Sequence, residues 1–268
     1  MKLVVKVGGS LLKESVPESL VSDLKMVASA NQLAVVHGGG DVVTDMAHKL
    51  GKEQRFVVSP EGIRSRYTDR ETVDIYTMVM SGLVAKKLVL SLAKEGIRPV
   101  SITGLDGALL AGSRKKRLAV IDDRGRKVLV EGGFTGKIDS VNGGLASTLM
   151  EAGYTPIVSP VAIGEEFEPL NVDGDRAAAS LAVGIGADVV VFLTNVAGLT
   201  LDGSLVQSIS CDEAARRLPE VGFGMQKKVM AAVDAVRGGV GEAVVCSGLG
   251  ESPVTTGLAH RTCTVISK

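Results

Sequence analysis

Continuous apolar runs alternate along this chain with longer segments of helical periodicity. Runs rich in β-branched residues predict seven strands, at residues 3–7, 33–37, 99–103, 155–159, 189–194, 243–247 and 262–266. Apolar positions at helical spacing predict helices over residues 70–95, 142–152, 175–186 and 225–238. Strands that are apolar on both faces are typical of a parallel sheet covered by helices. The pattern therefore predicts an α/β fold, a three-layer α/β/α sandwich with a mainly parallel central sheet.

One polar interval, residues 113–137, interrupts this alternation. It contains two short strand-like pieces, at 118–121 and 127–131, separated by Asp122-Asp123-Arg124-Gly125, which is a turn signal. We therefore predict a β-hairpin on the surface. The last third of the chain has glycine-rich connections of its own, so we expect two lobes, residues 1–170 with the hairpin and residues 171–268.

Composition narrows the class of protein. The 268 residues are 45% hydrophobic, enough for a sizeable core, and a formal net charge of zero gives no case for binding nucleic acid or a membrane surface. No apolar run looks long enough to span a bilayer. The three cysteines form no CxxC pair, and their odd number argues against a disulfide framework. With a first strand that begins at once and leaves no room for a secretory leader, these features favour a cytoplasmic protein.

Two glycine clusters come after the first two predicted strands, Lys6-Val7-Gly8-Gly9-Ser10 and His37-Gly38-Gly39-Gly40-Asp41. A strand, then glycines, then a helical pattern exposes backbone N–H groups and the positive end of a helix dipole, which favours phosphate. Taken alone, the first glycine pair is equally compatible with a plain strand-to-helix turn. Neither cluster matches a Walker A loop or the GxGxxG fingerprint.

Three charged residues lie at unusual places in this pattern. Lys6 is inside an apolar strand, so its ammonium must reach a partner at the strand's end or extend to solvent. Lys228 lies near the start of a predicted helix, where it opposes the macrodipole unless an anion lies between them; a solvated surface lysine is the alternative. Asp175 starts another predicted helix, where it either orients nearby lysines or only caps that helix.

Taken together and in this order, the motifs K-x-G-G, H-G-G-G, N-x-x-x-D, T-N/D-x-x-G-L and G-M-x-x-K resemble those of the amino acid kinase family. The resemblance covers essentially the whole chain. It implies a mainly parallel eight-stranded sheet, an acceptor site in the N-terminal lobe and an ATP site in the C-terminal lobe. It also implies transfer of a phosphoryl group from ATP to a carboxylate, with Mg²⁺ held by ATP and not by protein side chains.

The resemblance also implies a role for individual positions. Lys6 and Lys228 would flank the transferring phosphoryl group, and Asp175 would hold both lysines. ATP and its phosphates would contact Gly8, Gly9, Gly39, Thr194, Asn195, Gly198, Leu199 and Met225. Acceptor binding would involve Gly38, Gly39, Gly40, Arg64 and Asn171, with Arg64 on the acceptor's α-carboxylate. Asn195 departs from the aspartate common in N-acetylglutamate kinases.

Residues 59–69, SPEGIRSRYTD, resemble one branch of this family. In that branch the amino acid is attached to the C-terminal glutamate of a small acidic amino-group carrier protein of the LysW type. An acidic partner needs a basic landing surface, for which we predict Arg66, Arg114, Lys115, Lys116 and Arg117. The alternative is that these residues form a solvated basic hairpin.

The resemblance thus implies a kinase of carrier-bound α-aminoadipate, and also of carrier-bound glutamate, in lysine and arginine biosynthesis. Two alternatives stay open: an N-acetylglutamate kinase of arginine biosynthesis, and a non-catalytic nucleotide-binding sensor or storage protein. Relatives also imply a homodimer formed through the predicted helix 70–95, although its apolar side chains would serve equally well as core.

Overall fold

The computed structural model describes residues 1–60, 62 and 64–268. The strands are β1 (Lys2–Val7), β2 (Gln32–His37), β3 (Phe56–Val58), β4 (Arg64–Arg66), β5 (Pro99–Thr103), β6 (Leu110–Arg114), β7 (Arg117–Ile121), β8 (Lys127–Glu131), β9 (Gly136–Val141), β10 (Thr155–Ser159), β11 (Val161–Ile163), β12 (Pro169–Asn171), β13 (Val189–Thr194), β14 (Thr200–Leu201), β15 (Ser204–Leu205), β16 (Ser208–Ser210), β17 (Glu242–Ser247) and β18 (Cys263–Ser267). The helices are α1 (Glu18–Ala30), α2 (Gly40–Lys49), α3 (Arg70–Thr77), α4 (Ala85–Lys94), α5 (Gly143–Glu151), α6 (Gly174–Gly184), α7 (Cys211–Arg216), α8 (Phe223–Arg237) and α9 (Pro253–Leu258).

The central sheet has eight strands in the order β16-β18-β17-β13-β1-β2-β10-β5. Neighbouring strands run parallel except β17 and β18, which are antiparallel. All seven predicted strands are present in this sheet, and the mainly parallel arrangement is confirmed. The eighth strand, β16, was missed because three residues at a sheet edge, two of them serine, leave no apolar run to detect.

The two faces of the sheet build two cores, which confirms the three-layer fold. On one face Val4 and Phe192 pack with the apolar sides of α5, α6 and α8. On the other, Leu3 and Val5 pack with α1, α2 and the long helix that contains α3 and α4. Because side chains alternate along a strand, Lys6 lies on the same face as Val4, towards α6 and α8. The alternation of β1 therefore directs Lys6 to the helices that carry Asp175 and Lys228.

A second, four-stranded sheet, β12-β11-β6-β9, lies beside the first. The predicted hairpin extends from the end of its β6–β9 pair, with β7 and β8 paired antiparallel from Arg117↔Glu131 to Ile121↔Lys127. A further antiparallel pair, β3 and β4, carries Arg64; Glu61 and Ile63 of the SPEGIRSRYTD segment lie outside the described residues. The central sheet runs continuously through both parts of the chain, and the division at residue 170 stays a prediction.

The predicted helix 70–95 is a single helical rod, Arg70–Lys94, in which a π-helical segment, Met78–Val84, joins α3 to α4. By length and composition alone this rod could cross a membrane, so the expectation that no segment is long enough was wrong on that criterion. However, Tyr76, Val79, Met80 and Leu88 are buried in the core against the sheet. A core helix of a globular protein passes the same test.

Candidate active site

A buried carboxylate brings the two predicted lysines together. Lys6 Nζ lies 2.8 Å from Asp175 Oδ1, and Lys228 Nζ donates a hydrogen bond of 3.2 Å to Asp175 Oδ2. The Lys6 contact is a close ion pair and not an aligned hydrogen bond, so Oδ1 keeps unused acceptor capacity. The Lys6 and Asp175 side chains are only 8% and 7% exposed. Residues distant in sequence thus meet on β1, α6 and α8.

Asp175 is available for the lysines because a neighbour caps its helix. Asp173 is the N-cap of α6, and its Oδ1 accepts hydrogen bonds from the backbone N–H groups of Asp175 and Arg176, at 3.0 and 3.1 Å. The alternative that Asp175 serves only as a cap is therefore wrong. Lys6 is likewise not a snorkelling surface lysine, and Lys228 is mostly buried, with 16% of its side chain exposed.

Charge neutralisation within this triad is incomplete. Burial by itself would raise the pKa of Asp175, but the positive charges of Lys6 and Lys228 outweigh burial and hold that pKa below its usual range. Asp175 is therefore ionised, and one negative charge faces two positive ones. The surplus positive charge suits an anion that can approach both ammonium groups.

The two glycine clusters lie against each other where β1 and β2 end. A Cβ built on Gly9 would lie 2.6 Å from the backbone N of Gly39, and one on Gly38 would lie 2.6 Å from the backbone N of Gly9. Only glycine permits this approach. Gly9 begins a helical turn, and Gly39 and Gly40 start α2, so their amides have no acceptor within their own helix. Among the described residues no other protein acceptor takes them.

The segment after the first glycine pair differs from the prediction. Gly9–Leu12 is a single 3₁₀ turn, and α1 begins only at Glu18, after Pro17. The first cluster therefore offers backbone donors without a long helix behind it. The second cluster opens α2, ten residues long, as predicted, so the helix dipole at this site comes from α2.

A cavity of about 650 Å³ lies next to the triad. It is lined by several predicted site residues, namely Lys6, Gly38, Gly39, Gly40, Arg64, Asn171 and Asp175. The Arg64 guanidinium stacks on Phe56, 3.8 Å from the ring centroid. Asn171 Nδ2 donates a 2.9 Å hydrogen bond to Thr68 Oγ1, which fixes the amide at the wall. The predicted acceptor residues thus converge on one cavity.

The predicted nucleotide residues outside the glycine loops lie at the end of β13, just after it, and near the start of α8. Asn195 is exposed, whereas Thr194 is buried at the end of β13. Leu199 belongs to the core, and its N–H donates a 2.8 Å hydrogen bond to Thr264 Oγ1. Gly198 packs so closely on Thr264 that an added Cβ would lie 2.5 Å from its Oγ1, and Met225 packs on the same core. Their contacts with ATP stay a prediction.

The five predicted docking residues do not form one patch. Arg66 donates to Gly40 O at 2.7 Å, to Thr44 Oγ1 at 2.9 Å and to Gln54 Oε1, and it lines the main cavity with Lys115. Arg114 and Lys116 line a separate cavity that also contains four glutamates, Glu131, Glu165, Glu166 and Glu168. Arg117 lies opposite Glu131 in the hairpin. Arg66 lies on β4, and the other four lie in the hairpin interval 113–137, where acidic side chains divide them.

Sequence reasoning missed two cations that border the cavity, Arg176 and Lys227. Lys227 Nζ donates to the backbone O of Arg64 at 3.3 Å and lies 3.7 Å from Asp173 Oδ2. Arg176 pairs with Asp234 on α8. Their positions in the sequence could have indicated them, because Arg176 follows Asp175 and Lys227 precedes Lys228.

The model of the family described as "Amino acid kinase family" matches residues 1–247 of this chain. The chain belongs to the amino acid kinase family. A "Putative [LysW]-aminoadipate/[LysW]-glutamate kinase" of Cenarchaeum symbiosum is 47% identical over 264 residues, with 98% of each chain covered. A "[LysW]-aminoadipate/[LysW]-glutamate kinase" of Metallosphaera sedula is 41% identical over 260 residues, covering 97% of this amino acid kinase and 98% of that protein.

Solved structures support the same fold at low sequence identity. N-acetylglutamate synthase from Neisseria gonorrhoeae superposes with a TM-score of 0.81 at 22% identity, covering all of this chain and 59% of that one. A carbamate kinase from Giardia gives a TM-score of 0.72 at 15% identity and covers 98% of that chain. At such identities the likeness of these structures to this amino acid kinase concerns the fold alone.

Proposed function

We propose that this amino acid kinase transfers the γ-phosphoryl group of ATP to the side-chain carboxylate of α-aminoadipate, or of glutamate, carried by a small acidic protein of the LysW type. The observation that carries the kinase assignment is the triad, in which one buried carboxylate holds two ammonium groups beside the paired glycine loops. The names of the relatives at 41–47% identity support the choice of acceptor.

In the proposed reaction an oxygen of the acceptor carboxylate attacks the γ-phosphorus in line. A new O–P bond forms, the bond to the β,γ-bridging oxygen breaks, and ADP leaves with that electron pair, giving an acyl phosphate. The acceptor carboxylate is already ionised at neutral pH, so no general base is required. Catalysis then depends on positioning and on stabilising charge as it moves between oxygens.

The residues present have the chemistry for these tasks. Lys6 and Lys228 supply two positive charges at one point, and the free amides of Gly9, Gly39 and Gly40 supply hydrogen-bond donors for phosphate oxygens. Asp175 fixes both lysines. Within the part of the chain that the structure describes, no group of three acidic, His or Cys side chains could hold a metal ion. The family resemblance implies that Mg²⁺ would enter with ATP, held by its phosphate oxygens.

The acceptor would occupy the 650 Å³ cavity, with its α-carboxylate on Arg64 and its polar atoms near Asn171. Lys227 supports this arrangement, because its bond to the Arg64 carbonyl ties β4 to α8, the helix that carries Lys228. Acceptor binding and phosphoryl transfer would thus use elements that are in direct contact.

The deciding experiment incubates the purified protein with MgATP, carrier-bound aminoadipate and hydroxylamine. Formation of the acyl hydroxamate supports the proposal. Turnover of free N-acetylglutamate without any carrier hydroxamate would instead favour an N-acetylglutamate kinase. ATP binding without turnover of either acceptor would favour a nucleotide-binding sensor.

We further propose that the carrier docks beside the cavity, on the basic hairpin. Replacing Arg117 with glutamate reverses its charge and should weaken capture of the acidic carrier, whereas Lys94→Glu, at the C-terminal end of α4, should not.

We also propose a cytoplasmic homodimer. The apolar residues expected at its interface are core, but Met78 and Leu90 of the long helix are 54% and 71% exposed. Light scattering of wild type and Leu90→Lys tests this contact.

A further inference from the structure

The peptide that joins Gly38 to Gly39 is not held by the backbone. The peptides before and after it are, because Gly38 N–H donates to Val7 O at 2.8 Å and Gly39 O accepts from Val43 N–H at 3.0 Å. Within the described residues, no backbone N–H donates to Gly38 O. A glycine on each side makes this peptide easy to rotate. Its orientation therefore depends on a side chain.

The imidazole of His37 is that side chain. Its Nδ1 lies 3.0 Å from Gly38 O, and its Nε2 lies 2.8 Å from Ser159 Oγ. Burial lowers the pKa of His37 to about 4, so the ring is neutral at neutral pH and carries one N–H. A carbonyl oxygen can only accept, which assigns the hydrogen to Nδ1. The Ser159 hydroxyl then donates to Nε2 as well as to Met80 O at 3.3 Å, as a three-centre bond.

Holding the Gly38 carbonyl also sets the direction of the Gly39 amide. The peptide is trans, so its C=O and N–H groups point to opposite sides. With the carbonyl directed at the buried imidazole, the Gly39 N–H is directed away from it, and the Gly39 nitrogen lies against Gly9 of the other glycine loop. Gly39 also lines the main cavity together with Lys6. The imidazole thus orients one of the amides that no protein acceptor takes.

We propose that His37 is a positioning residue for phosphoryl transfer. By donating from Nδ1 to Gly38 O, it keeps the Gly39 N–H pointed at the oxygens of the transferring phosphoryl group. His37 acts through this peptide and needs no contact with nucleotide or acceptor. The inference rests on the proposed function, because it assumes that phosphate is bound beside the glycine loops.

The tautomer of His37 is measured directly on the wild-type protein, without substrate or turnover. Long-range ¹H–¹⁵N correlation spectra of histidine-labelled protein at neutral pH should show its Nδ1 protonated and its Nε2 unprotonated, and His37→Gln identifies its signals. A ring protonated only at Nε2 would overturn the inference, because Nδ1 could not then hold the carbonyl.

Kinetics and thermal melts separate positioning from support of the fold. Glutamine keeps a donor near the Nε2 position but none near Nδ1, so His37→Gln should lower kcat about tenfold and leave the KM for ATP and for the acceptor within about threefold. His37→Asn, whose amide nitrogen can reach the Nδ1 position, should recover most of the kcat. Ser159→Ala keeps the donor at Nδ1, so it should melt at a lower temperature with kcat close to that of the wild type. His48→Gln, at an exposed position of α2, is the matched control.

Wild-type kcat in His37→Gln, together with a lower melting temperature, would show that this histidine only supports the fold. Equal losses of kcat in His37→Gln and His37→Asn would also overturn the inference, as would an equal loss in Ser159→Ala. The proposed function fails separately, when the wild type forms no hydroxamate from the carrier-bound acceptor although its ring tautomer is the expected one. The same variants are then compared with the acceptor that the enzyme does use.

Discussion

At the scale of single residues, the site depends on an unequal division of charge. Asp175 is one carboxylate between two ammonium groups, and both of its oxygens are engaged by lysines. Because one lysine is enough to neutralise Asp175, replacing either lysine leaves no unpaired buried charge in the protein. Lys6 and Lys228 should accordingly matter more for chemistry than for folding.

We expect Lys6→Met and Lys228→Met each to lower kcat by about 10²–10³-fold, the usual cost of losing one group that stabilises the transferring charge. The dissociation constant of ATP should change much less. Single-turnover rates and calorimetric ATP titrations measure the two quantities. Lys87→Met, an exposed lysine of α4, is the matched control. Normal turnover in both active-site variants would show that these lysines do not act on the phosphoryl group.

His37 makes a second prediction, about acid stability. It is fully buried beside Gly38, and Nε2 lies 2.8 Å from Ser159 Oγ. Burial, and secondarily the charge of Lys6, lowers the pKa of His37 to about 4. Between about pH 6.5 and about pH 4, His37 is protonated in the unfolded chain but neutral in the native protein. The native protein therefore loses stability as pH falls through this range.

Protonation of His37 in the unfolded chain should lower the free energy of unfolding by about 2 kcal/mol when the pH is lowered from about 8 to about 5. Urea unfolding at both pH values measures it. His37→Gln keeps hydrogen-bonding capacity without titrating, so its pH dependence should be smaller by that amount. If the two proteins lose the same stability on acidification, His37 does not remain neutral in the native state.

At the scale of elements, the candidate active site lies where the C-terminal ends of neighbouring strands of the central sheet come together. The glycine loops after β1 and β2 touch, and the long helix closes over them: a Cβ on Gly39 would lie 2.9 Å from Met80 Sδ in the π-helical segment. Ser159 of β10 donates to Met80 O at 3.3 Å, which ties that segment to the sheet. The loops, the segment and the sheet therefore constrain one another.

Gly38→Ala should lower both stability and turnover, because its new methyl group would overlap the backbone N of Gly9, which cannot move without moving β1. Gly82→Ala, in the same long helix rod but with open space around it, is the control. It should raise stability by about 0.4–1 kcal/mol, since alanine favours helix and restricts the unfolded chain. Thermal melts and steady-state kinetics separate the effects. Wild-type activity in Gly38→Ala would show that the reaction does not require close contact between the glycine loops after β1 and β2.

Much of this architecture was predictable, for reasons visible in particular elements. Strands such as β13 are buried along their whole length, so an apolar run marks them reliably. The contact between Lys6, Asp175 and Lys228 could be inferred only through resemblance, because no local pattern reports contacts between distant segments. Lys115 and Lys227 were predictable as charges but not as cavity residues, since their direction depends on how a hairpin and α8 pack.

At the scale of the whole molecule, zero net charge conceals an uneven distribution. Cations gather at the cavity and the hairpin, and glutamates border them at Glu131, Glu165, Glu166 and Glu168. Such a field would guide an acidic partner to one orientation while repelling it from the glutamate-rich cavity. Encounter with a carrier should therefore be governed by local charge and not by the overall charge.

This distribution predicts a difference in salt sensitivity. Raising NaCl from about 20 mM to about 200 mM shortens the screening length severalfold. The kcat/KM for a carrier-bound acceptor should fall by about tenfold or more, whereas that for a small N-acyl acceptor should change by no more than about threefold. Steady-state rates across the salt series measure both. Parallel curves for the two acceptors would argue against charge-guided docking.

The position of β1 has a consequence for how the protein is made. This strand lies in the middle of the sheet, between β2 and β13, and its Lys6 pairs with Asp175 of α6, which also pairs with Lys228 of α8, much later in the chain. A nascent or truncated polypeptide that stops before α8 thus lacks one of the two ammonium groups. Under the roles proposed for the two lysines, we expect a chain cut before α8 to turn over no nucleotide.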